Sequence, residues 1–330
     1  MSSKKGISVV IPNYNGETLL PQIIPALYEA LAQVNLPHEM IISDDRSTDD
    51  SINYIRQNFP QIILIENKIN AGFAPAINKG IFAAQYDLVL LLNSDVKLTP
   101  DYFDQQLSYF EDPETFGVMS RIIGWDDDHI QDGGKYPSFH GLKIKTSGNY
   151  IPADPHEKNR LCSMYLSGAN ALVSREKMIR LGGFNELFAP FYVEDFELSL
   201  RAWRMGWKCY YEHNAVCRHR VSSTIKQKSK KIFIKKIYNR NKMFLHALHL
   251  EPAQRFLWQL QLAGETLIQL LLGKFWFLSS WRMYLAAQKK IRASRKRFQQ
   301  IAGGKDQLMS TRSVVRKILH SLSNIPIKRF

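Results

Sequence analysis

Residues 88–96 read LVLLLNSDV, an apolar run that stops abruptly at an amide, a hydroxyl and a carboxylate. A short apolar run with polar residues on both sides is typical of a parallel strand that is buried on both faces of its sheet. Three earlier runs have the same character, namely ISVVI (7–11), EMIIS (39–43) and IILI (62–65). The four runs together predict four strands of one buried parallel sheet.

Helix patterns separate these strands. Apolar residues recur at intervals of three and four over 17–34 and 47–59, and residues 75–85 fit a third helix. Strands that alternate with helices predict an α/β fold with a Rossmann-like, doubly wound sheet and right-handed crossovers. From about residue 160 the pattern changes: a helix is predicted at 193–206, followed by the strand-like segments WKCYYE and AVCRHR. We therefore expect the complete sheet to be mixed.

Composition limits the kind of protein. The 330-residue chain is 45% hydrophobic, enough to fill the core of one sizeable α/β domain with an appendage. Its three cysteines, Cys162, Cys209 and Cys217, show neither disulfide nor CxxC spacing, which indicates a reducing compartment. The N-terminal apolar run ends at Pro12 after five residues, too short for the core of a signal peptide. We expect the chain not to be exported.

The net charge of +14 is unevenly distributed along the chain. Residues 1–222 hold 21 Lys and Arg against 27 Asp and Glu, whereas residues 223–330 hold 23 against 3. This asymmetry predicts two regions, an α/β domain over residues 1–224 and a basic, largely helical C-terminal region over residues 225–330.

Polar residues follow each of the four predicted strands. Ligands of doubly wound sheets bind at the carboxyl ends of the strands, so these positions are candidate site residues. They are Pro12–Asn15, Asp44–Asp45, Asn70–Gly72 and Asn93–Asp95.

Asp95 follows a buried strand, where an unpaired charge costs several kcal/mol and so needs a partner. Its carboxylate suits Mg²⁺ or Mn²⁺, and such a cation would bridge a diphosphate. The alternative is a turn or cap before Thr99. Two interpretations also remain for Asp44 and Asp45: either one accepts from the imide N–H of uracil or thymine, or the two cap the next helix.

Two loops add weaker signals. Gly72 in NAGFAPAINKG (70–80) permits close backbone approach at a helix start, where N–H groups can face an anion, although the spacing matches neither the P-loop nor GxGxxG. His219, between two arginines, fits a metal ligand, a phosphate contact or an ordinary histidine.

The segment VEDFELSLR (193–201) places three carboxylates at a helix start. Neighbouring carboxylates raise each other's pKa, which suits a general base that works near neutral pH. The alternative is a solvated helix start. Arg201 follows Glu197 by four residues and can pair with it.

In this order, seven segments resemble the family 2 glycosyltransferases of the GT-A fold, especially the bacterial rhamnosyltransferase-like branch. They are ISVVIPNYNG, IISDDRSTDDS, NAGFAPAINKG, LLLNSDV, SGANALVSREKMIRLGGFNELF, YVEDFELSLRAWRMGWKCYY and HRVSST, which cover roughly residues 7–224. The resemblance implies a nucleotide-sugar glycosyltransferase domain over residues 1–224.

The resemblance also implies roles for individual residues. LLLNSDV looks like the family's DxD-type motif in an Asn-x-Asp form, so Asp95 would bind the cation, Mg²⁺ or Mn²⁺, and His219 would complete the metal site. Asp195, paired with Glu194, would be the base of an inverting displacement. The nucleotide-sugar site would contain Pro12, Asn13, Tyr14, Asn15, Asp44, Asp45, Asn70, Gly72, Asn78, Asn93 and Ser94. Gly168, Ala169, Asn170, Gly183, Phe184 and Glu186 would border the donor sugar and the acceptor.

The C-terminal region carries basic clusters at 226–242 and 289–297 on either side of the apolar segment 255–281. Polar residues inside the apolar segment make a full membrane span costly, so we expect an interfacial helix pair on anionic lipid. The alternative is that these helices pack on the catalytic domain or on another protomer as a homo-oligomer. Specific nucleic-acid binding is not expected, because no recognition module is evident.

The predicted function is metal-dependent sugar transfer with inversion. A UDP- or dTDP-linked sugar would pass to a hydroxyl of a glycan or lipid-linked acceptor in cell-envelope polysaccharide synthesis, in the cytoplasm at the inner face of the cell membrane. The alternative is a non-catalytic nucleotide-sugar or polyanion binding protein docked at a membrane. The presence of both Asp95 and Asp195 favours the enzyme.

Overall fold

The computed structural model of the chain describes residues 4–220 and 231–330. Within these ranges the strands are β1 Ile7–Asn13, β2 His38–Asp44, β3 Ile63–Glu66, β4 Leu88–Leu92, β5 Val96–Leu98, β6 Thr115–Gly124, β7 Ile130–Asp132, β8 Gly134–His140, β9 Lys143–Pro152, β10 Leu161–Cys162, β11 Asn170–Ser174, β12 Lys208–His219 and β13 Ile327–Arg329. The helices are α1 Leu20–Ala32, α2 Ser51–Asn58, α3 Phe73–Ala83, α4 Arg175–Leu181, α5 Glu194–Arg204, α6 Lys231–His249, α7 Pro252–Leu271, α8 Trp276–Ala286, α9 Gln288–Ile301 and α10 Thr311–Leu322. The predicted boundary at residue 224 and the beginning of the basic cluster at 226–242 lie outside the described residues.

The four strands predicted from the apolar runs are confirmed. They pair side by side and parallel in the order β3-β2-β1-β4, with α1, α2 and α3 as the connections. The register sets Asn13 beside Asp44, so the polar ends of β1 and β2 are neighbours. The first helix begins at Leu20 rather than at residue 17, with a proline in its first turn, where the missing N–H breaks no intrahelical hydrogen bond.

The other half of the central sheet makes it mixed, as expected. β11 lies antiparallel between β4 and β6, and β12 runs parallel to β6, so β4, β6 and β12 all point the same way. The segments WKCYYE and AVCRHR form one strand, β12, with a register shift between Glu212 and Val216 that absorbs the extra residues. The end of β12 therefore reaches the same edge of the sheet as the end of β4, and there His219 pairs with Val96 of β5.

The C-terminal region packs against the α/β region. Its strand β13 joins the hairpin β8–β9 to make a second sheet of three strands. Its buried side chains belong to the same hydrophobic core as the central sheet, and they include Phe244, Trp258, Ile291, Val314 and Ile318. Across the described ranges, no helix combines the length and the apolar character that a membrane crossing requires.

Candidate active site

Asn13 and Asp44 join the ends of β1 and β2. The Nδ2 atom of Asn13 donates to Oδ2 of Asp44 at 2.8 Å, and the same carboxylate accepts from the backbone N–H and the hydroxyl of Ser47 at 2.7 and 2.6 Å. Asp44 has no exposed surface. Its predicted contact with a base does not fit this arrangement, because the carboxylate is used to brace the loop that follows β2.

Asp45 has a similar bracing role in the next loop. Its carboxylate accepts from the backbone N–H groups of Ala71 and Gly72 at 3.1 and 2.8 Å and from the amide of Asn67 at 3.2 Å, and only 4% of the residue is exposed. It therefore ties the loop after β2 to the loop after β3. Of the two acidic residues, Asp45 is the one that retains any solvent access.

The loop after β1 lies against the loop after β2. Asn15 has a left-handed φ of 56°, and its side-chain oxygen accepts from Thr48 N–H at 2.8 Å. Pro12 and Tyr14 are half-buried beside it. Asn70, in the loop after β3, is exposed.

Asp95 and His219 come together at the shared edge of β4 and β12. The Nε2 atom of His219 lies 3.6 Å from Oδ2 of Asp95. On the other side of the imidazole, Nδ1 lies 2.9 Å from Oε1 of Gln131, while Nε2 of Gln131 donates to the backbone carbonyl of His219 at 3.3 Å. Because that carbonyl can only accept, the amide oxygen of Gln131 must face Nδ1, which is therefore the protonated nitrogen. In the neutral imidazole, the lone pair of Nε2 then faces Asp95.

These residues fit a divalent cation. Two acceptors, Nε2 of His219 and the Asp95 carboxylate, face each other at a distance too long for a hydrogen bond. Oδ1 of Asp95 and Oδ1 of Asn93 are buried without a hydrogen-bond partner among residues 4–220 and 231–330. Residues 4–220 and 231–330 contain no cluster of three or more His, Cys, Asp or Glu side chains suited to a metal. A cation here would therefore take its remaining ligands from a diphosphate or from water, as Mg²⁺ commonly does.

Glu194 and Asp195 open helix α5, and burial changes the proton affinity of both. Desolvation raises the pKa of Asp195 to about 6 and that of Glu194 to about 8, with the charge of Asp195 adding to the effect on Glu194. Oδ1 of Asp195 accepts from Phe196 N–H at 2.7 Å, which leaves the second oxygen of this half-buried carboxylate for a ligand. The predicted pairing of Glu197 with Arg201 is confirmed at 3.0 Å.

Strand β7 links the two halves of the site. Gln131 holds His219, and the adjacent Asp132 forms an ion pair with Lys135. The charges of Lys135 and Asp132 both act on Asp195, the first lowering its pKa and the second raising it, after the larger effect of burial. Gln131 thus supports His219, while the charges of the neighbouring Asp132 and of Lys135 act on Asp195.

Several predicted ligand contacts are bracing contacts in this structure. Asn78 is 3% exposed, and its amide donates to Phe184 O and accepts from Phe184 N–H at 2.9 and 2.8 Å, with Glu186 as a further acceptor at 3.0 Å. Asn170 has no exposed surface and donates to Ser120 inside the central sheet. The predicted sugar contacts of Asn78 and Asn170 do not fit this burial, because both amides are enclosed by protein.

The remaining predicted border residues lie around the same edge. The carbonyl of Ala169 accepts from Asn93 N–H at 3.0 Å, and Gly168 lies beside the ring of Phe73. Gly72, at φ 93°, touches Pro190, so that a Cβ there would lie 2.5 Å from the carbonyl of Pro190. Gly183 and Phe184 are buried against α3, and Glu186 is exposed.

Sequence reasoning missed Gln131, Lys135 and Asn241, the last of which donates its side-chain amide to the carbonyl of Tyr192, just before α5, at 2.8 Å. The polar, glycine-containing segment IQDGGKY (130–136) resembles the strand ends that were recognised, and it was the available signal for the first two. For Asn241, inside a basic helix, the sequence offered no signal.

Known proteins resemble this chain in sequence over more than half of its length. A family model described as Glycosyl transferase family 2 matches residues 8–179, just over half of the chain. Among curated proteins the chain is similar to an N-acetylglucosaminyl-diphospho-decaprenol L-rhamnosyltransferase of Mycobacterium tuberculosis. The two are 27% identical over 234 residues, and the match covers 61% of this chain and 74% of the relative.

Two solved structures show the same fold. The crystal structure of GalNAc-T7 with UDP, GalNAc and Mn²⁺ has a TM-score of 0.62 and 15% identity, and the match covers 99% of this chain and 59% of that chain. The mannosyltransferase PcManGT from Pyrobaculum calidifontis, in complex with GDP-Man and Mn²⁺, has a TM-score of 0.53 and 19% identity, with coverage of 98% and 86%.

Proposed function

The chain belongs to glycosyl transferase family 2, in its bacterial rhamnosyltransferase-like branch, and is a glycosyltransferase of the GT-A fold, and from this premise we propose that it is an inverting, metal-dependent enzyme. The donor is a UDP- or dTDP-linked sugar, and the acceptor is a hydroxyl of a lipid-linked glycan in cell-envelope polysaccharide synthesis. The observation that carries the proposal is the approach of His219 to Asp95 at 3.6 Å, with Gln131 supporting His219 and the charge of the next residue, Asp132, acting on Asp195.

The donor nucleotide is assigned to the edge formed by β1, β2 and β4. The loops that follow β1 and β2 are held together by Asn13 and Asp44, and Asp45 holds the loop that contains Gly72. Such a rigid edge offers a nucleotide a binding surface whose conformational cost has already been met by folding. The donor site would include Pro12, Asn13, Tyr14, Asn15, Asp45, Asn70, Gly72, Asn93 and Ser94.

Asp95 and His219 would hold Mg²⁺ or Mn²⁺. The cation would offset the negative charge that develops on the diphosphate leaving group. Both GalNAc-T7 and PcManGT were solved with Mn²⁺.

Asp195 is assigned as the general base. Burial raises its pKa to about 6, so the carboxylate is ionised at neutral pH yet is a stronger base than an exposed aspartate. It takes the proton of the acceptor hydroxyl as the hydroxyl oxygen attacks the anomeric carbon, and the carbon–oxygen bond to the diphosphate breaks on the opposite face. One carboxylate suffices for inversion, whereas a double-displacement mechanism needs a second group as nucleophile.

A lipid-linked acceptor agrees with the outer surface of α7 and α8. The side chains of Phe256, Leu267, Leu271 and Phe275 are 62%, 60%, 80% and 69% exposed. The region from residue 223 onward holds 23 basic against 3 acidic residues, and basic residues near an apolar face favour an anionic bilayer. The relative from Mycobacterium tuberculosis is named for a diphospho-decaprenol acceptor. We assign the enzyme to the inner face of the cell membrane as a peripheral protein.

A thermal-shift screen of nucleotide sugars tests the function. UDP- and dTDP-linked sugars are added to the full chain with and without Mn²⁺, alongside an Asp95→Ala variant and an Asp104→Ala variant, which alters an exposed carboxylate that is not assigned to the site. We expect a stabilising shift that needs Mn²⁺ and is lost only in Asp95→Ala. The same shift in all three proteins, or no shift with any nucleotide sugar, would contradict the proposal.

A further inference from the structure

A cavity of about 260 Å³ opens beside Asp195, between the start of α5, strand β9 and helix α6. Its lining includes Lys145, Tyr192, Glu194, Asp195, Tyr238 and Lys242. We propose that this cavity is the acceptor site, that it takes a single sugar whose anomeric oxygen carries a diphosphate, and that the C-terminal helix α6 supplies one of the two diphosphate-binding lysines. This inference rests on the proposed function and names the acceptor class for the same site.

Glu194 contributes a buried carboxyl group to the lining of the cavity. The residue is only 8% exposed, and its Oε2 atom is buried with no hydrogen-bond partner within the described part of the chain. A buried carboxyl oxygen without a partner costs free energy, which a bound hydroxyl group would recover. A sugar hydroxyl can donate to a carboxylate and accept from a carboxylic acid, so it satisfies Glu194 in either protonation state.

The size and the aromatic rim suit one sugar ring. Pockets for drug-sized ligands begin at roughly 300 Å³, so a cavity of about 260 Å³ holds one ring rather than an oligosaccharide. Tyr192 and Tyr238 are 37% and 41% exposed, and their rings meet edge to face at 6.0 Å. Tyrosine rings offer an apolar face to the C–H groups of a sugar and a hydroxyl to its polar edge.

Two lysines in the lining are available for an anion. Lys145 lies on β9 and is exposed, and Lys242 lies on α6 and is half-buried, with its Nζ atom 4.5 Å from the centre of the Tyr238 ring. Neither forms an ion pair with a carboxylate in the part of the chain that the structure describes. Because Glu194 is buried and Lys145 is exposed, the sugar end of the ligand belongs inside the cavity and its charged end at the mouth. Two ammonium groups there match the two charged phosphates of a sugar diphosphate.

The lysines are assigned to the acceptor rather than to the donor. No residue of 12–15, 44–45 or 93–95 lines the cavity. In an inverting displacement the nucleophile and the leaving diphosphate occupy opposite faces of the anomeric carbon. Cationic groups that share a cavity with the base Asp195 are therefore on the nucleophile's side.

The lipid is taken from the proposed function, whose acceptor is lipid-linked. The strand β9 and helix α6 that line the cavity also contact α7, through an ion pair between Lys143 and Glu265 and through the ring of His246, which stacks on Trp258 at 5.7 Å. The exposed apolar side chains of α7, among them Leu267 and Leu271, lie on the opposite side of this helix and face away from the cavity wall.

Calorimetry on the full chain with farnesyl diphosphate and farnesol tests the inference. Lys145→Ala, Lys242→Ala and the control Lys235→Ala, which alters an exposed lysine of the same helix α6, are compared with the unsubstituted chain. We expect the unsubstituted chain to prefer the diphosphate, and each cavity variant to bind it about tenfold more weakly, while farnesol binding and the control stay unchanged. No preference for the diphosphate, or an equal loss in Lys235→Ala, would overturn the inference.

Binding of UDP and dTDP with Mn²⁺ is measured on the same four proteins. Unchanged nucleotide affinity in the lysine variants supports an acceptor role. An equal loss of nucleotide affinity would move the lysines to the donor side and would overturn the inference while leaving the proposed function intact. If the unsubstituted chain bound neither nucleotide, the proposed function would fail, and the inference would fail with it.

Discussion

The side-chain amide of Asn241 in α6 donates to the backbone carbonyl of Tyr192 at 2.8 Å. The same nitrogen lies 2.7 and 3.0 Å from the carbonyls of Phe188 and Phe191, and Asn241 has no exposed surface. The loop that it holds ends in two residues with left-handed φ, 76° at Tyr192 and 74° at Val193, immediately before the first residue of α5. A helix of the C-terminal region therefore fixes the backbone from which Glu194 and Asp195 project.

We expect Asn241→Leu to lower both stability and turnover. The substitution keeps the volume of the side chain but leaves buried carbonyls without a donor, which costs about 1–3 kcal/mol in free energy of unfolding. Urea denaturation and the transfer rate measure the two effects. Asn239→Leu, two residues away on the same helix, is the matched control and should change neither, because within the described residues its side chain bonds only to Lys235 O of its own helix. If Asn241→Leu kept the stability and rate of the unsubstituted chain, Asn241 would not position the loop.

Asp195→Asn should remove sugar transfer while leaving donor affinity nearly intact. The amide has the same shape but cannot accept the proton, and loss of a general base lowers the rate about 10²- to 10⁴-fold. Initial rates and nucleotide titration separate the two quantities. The control is Asp104→Asn, which changes an exposed carboxylate that is not assigned to the site. Turnover equal to that of the control would overturn the assignment of the base.

The pH dependence follows from the same carboxylate. Burial raises the pKa of Asp195 to about 6, so the transfer rate should fall as the pH drops below about 6 and level off above it. Because this pKa is higher in the folded chain than in the unfolded chain, the folded state binds more protons, and the stability contributed by Asp195 is lost as the pH rises from about 4 to about 6. Asp195→Asn should therefore melt at a higher temperature than the unsubstituted chain at pH 7.5. A rate that stays constant down to pH 5 would contradict this assignment.

Gln131→Leu should weaken Mn²⁺ binding. Gln131 orients the His219 ring and selects its tautomer, and removal of such a supporting hydrogen bond typically lowers metal affinity about 10- to 100-fold. Titration of Mn²⁺ in the presence of UDP measures the effect. Gln131→Glu, which keeps an acceptor for Nδ1, should retain more affinity than Gln131→Leu. Equal affinity in all three proteins would show that His219 needs no support or does not bind the metal.

The outer face of α7 and α8 should bind anionic lipid. We expect the full chain to sediment with phosphatidylglycerol vesicles at low salt and to be released by salt, since screening weakens the attraction of basic residues for the surface. A Leu271→Ser, Phe275→Ser double variant changes side chains that are 80% and 69% exposed, so it should fold normally and sediment less. Failure to sediment, together with a dimer in solution that the double variant dissociates, would make this face an oligomer interface.

Local patterns were enough to predict the four parallel strands β1 to β4 of the central sheet. Each strand at 7–11, 39–43, 62–65 and 88–92 was readable because a strand buried on both faces needs consecutive apolar residues, and its polar end marks the ligand-binding edge of the sheet. Patterns did not separate ligand contacts from bracing contacts. Asp44, Asn78 and Asn170 look like site residues because they are polar residues in site-like segments, but each is enclosed by partners from distant segments.

The sequence by itself determined which chemical groups lie at the carboxyl edge, because strand, turn and helix follow from the order of neighbouring residues. Tertiary structure alone decided that Gln131 supports His219 and that Asn241 and Lys242 reach the start of α5. Those contacts join residues 88 and 49 positions apart in the first two cases, and no local preference specifies them. They arise because α6 packs against strand β9 of the hairpin and against the loop before α5, which brings part of the basic C-terminal region into the wall of the candidate active site.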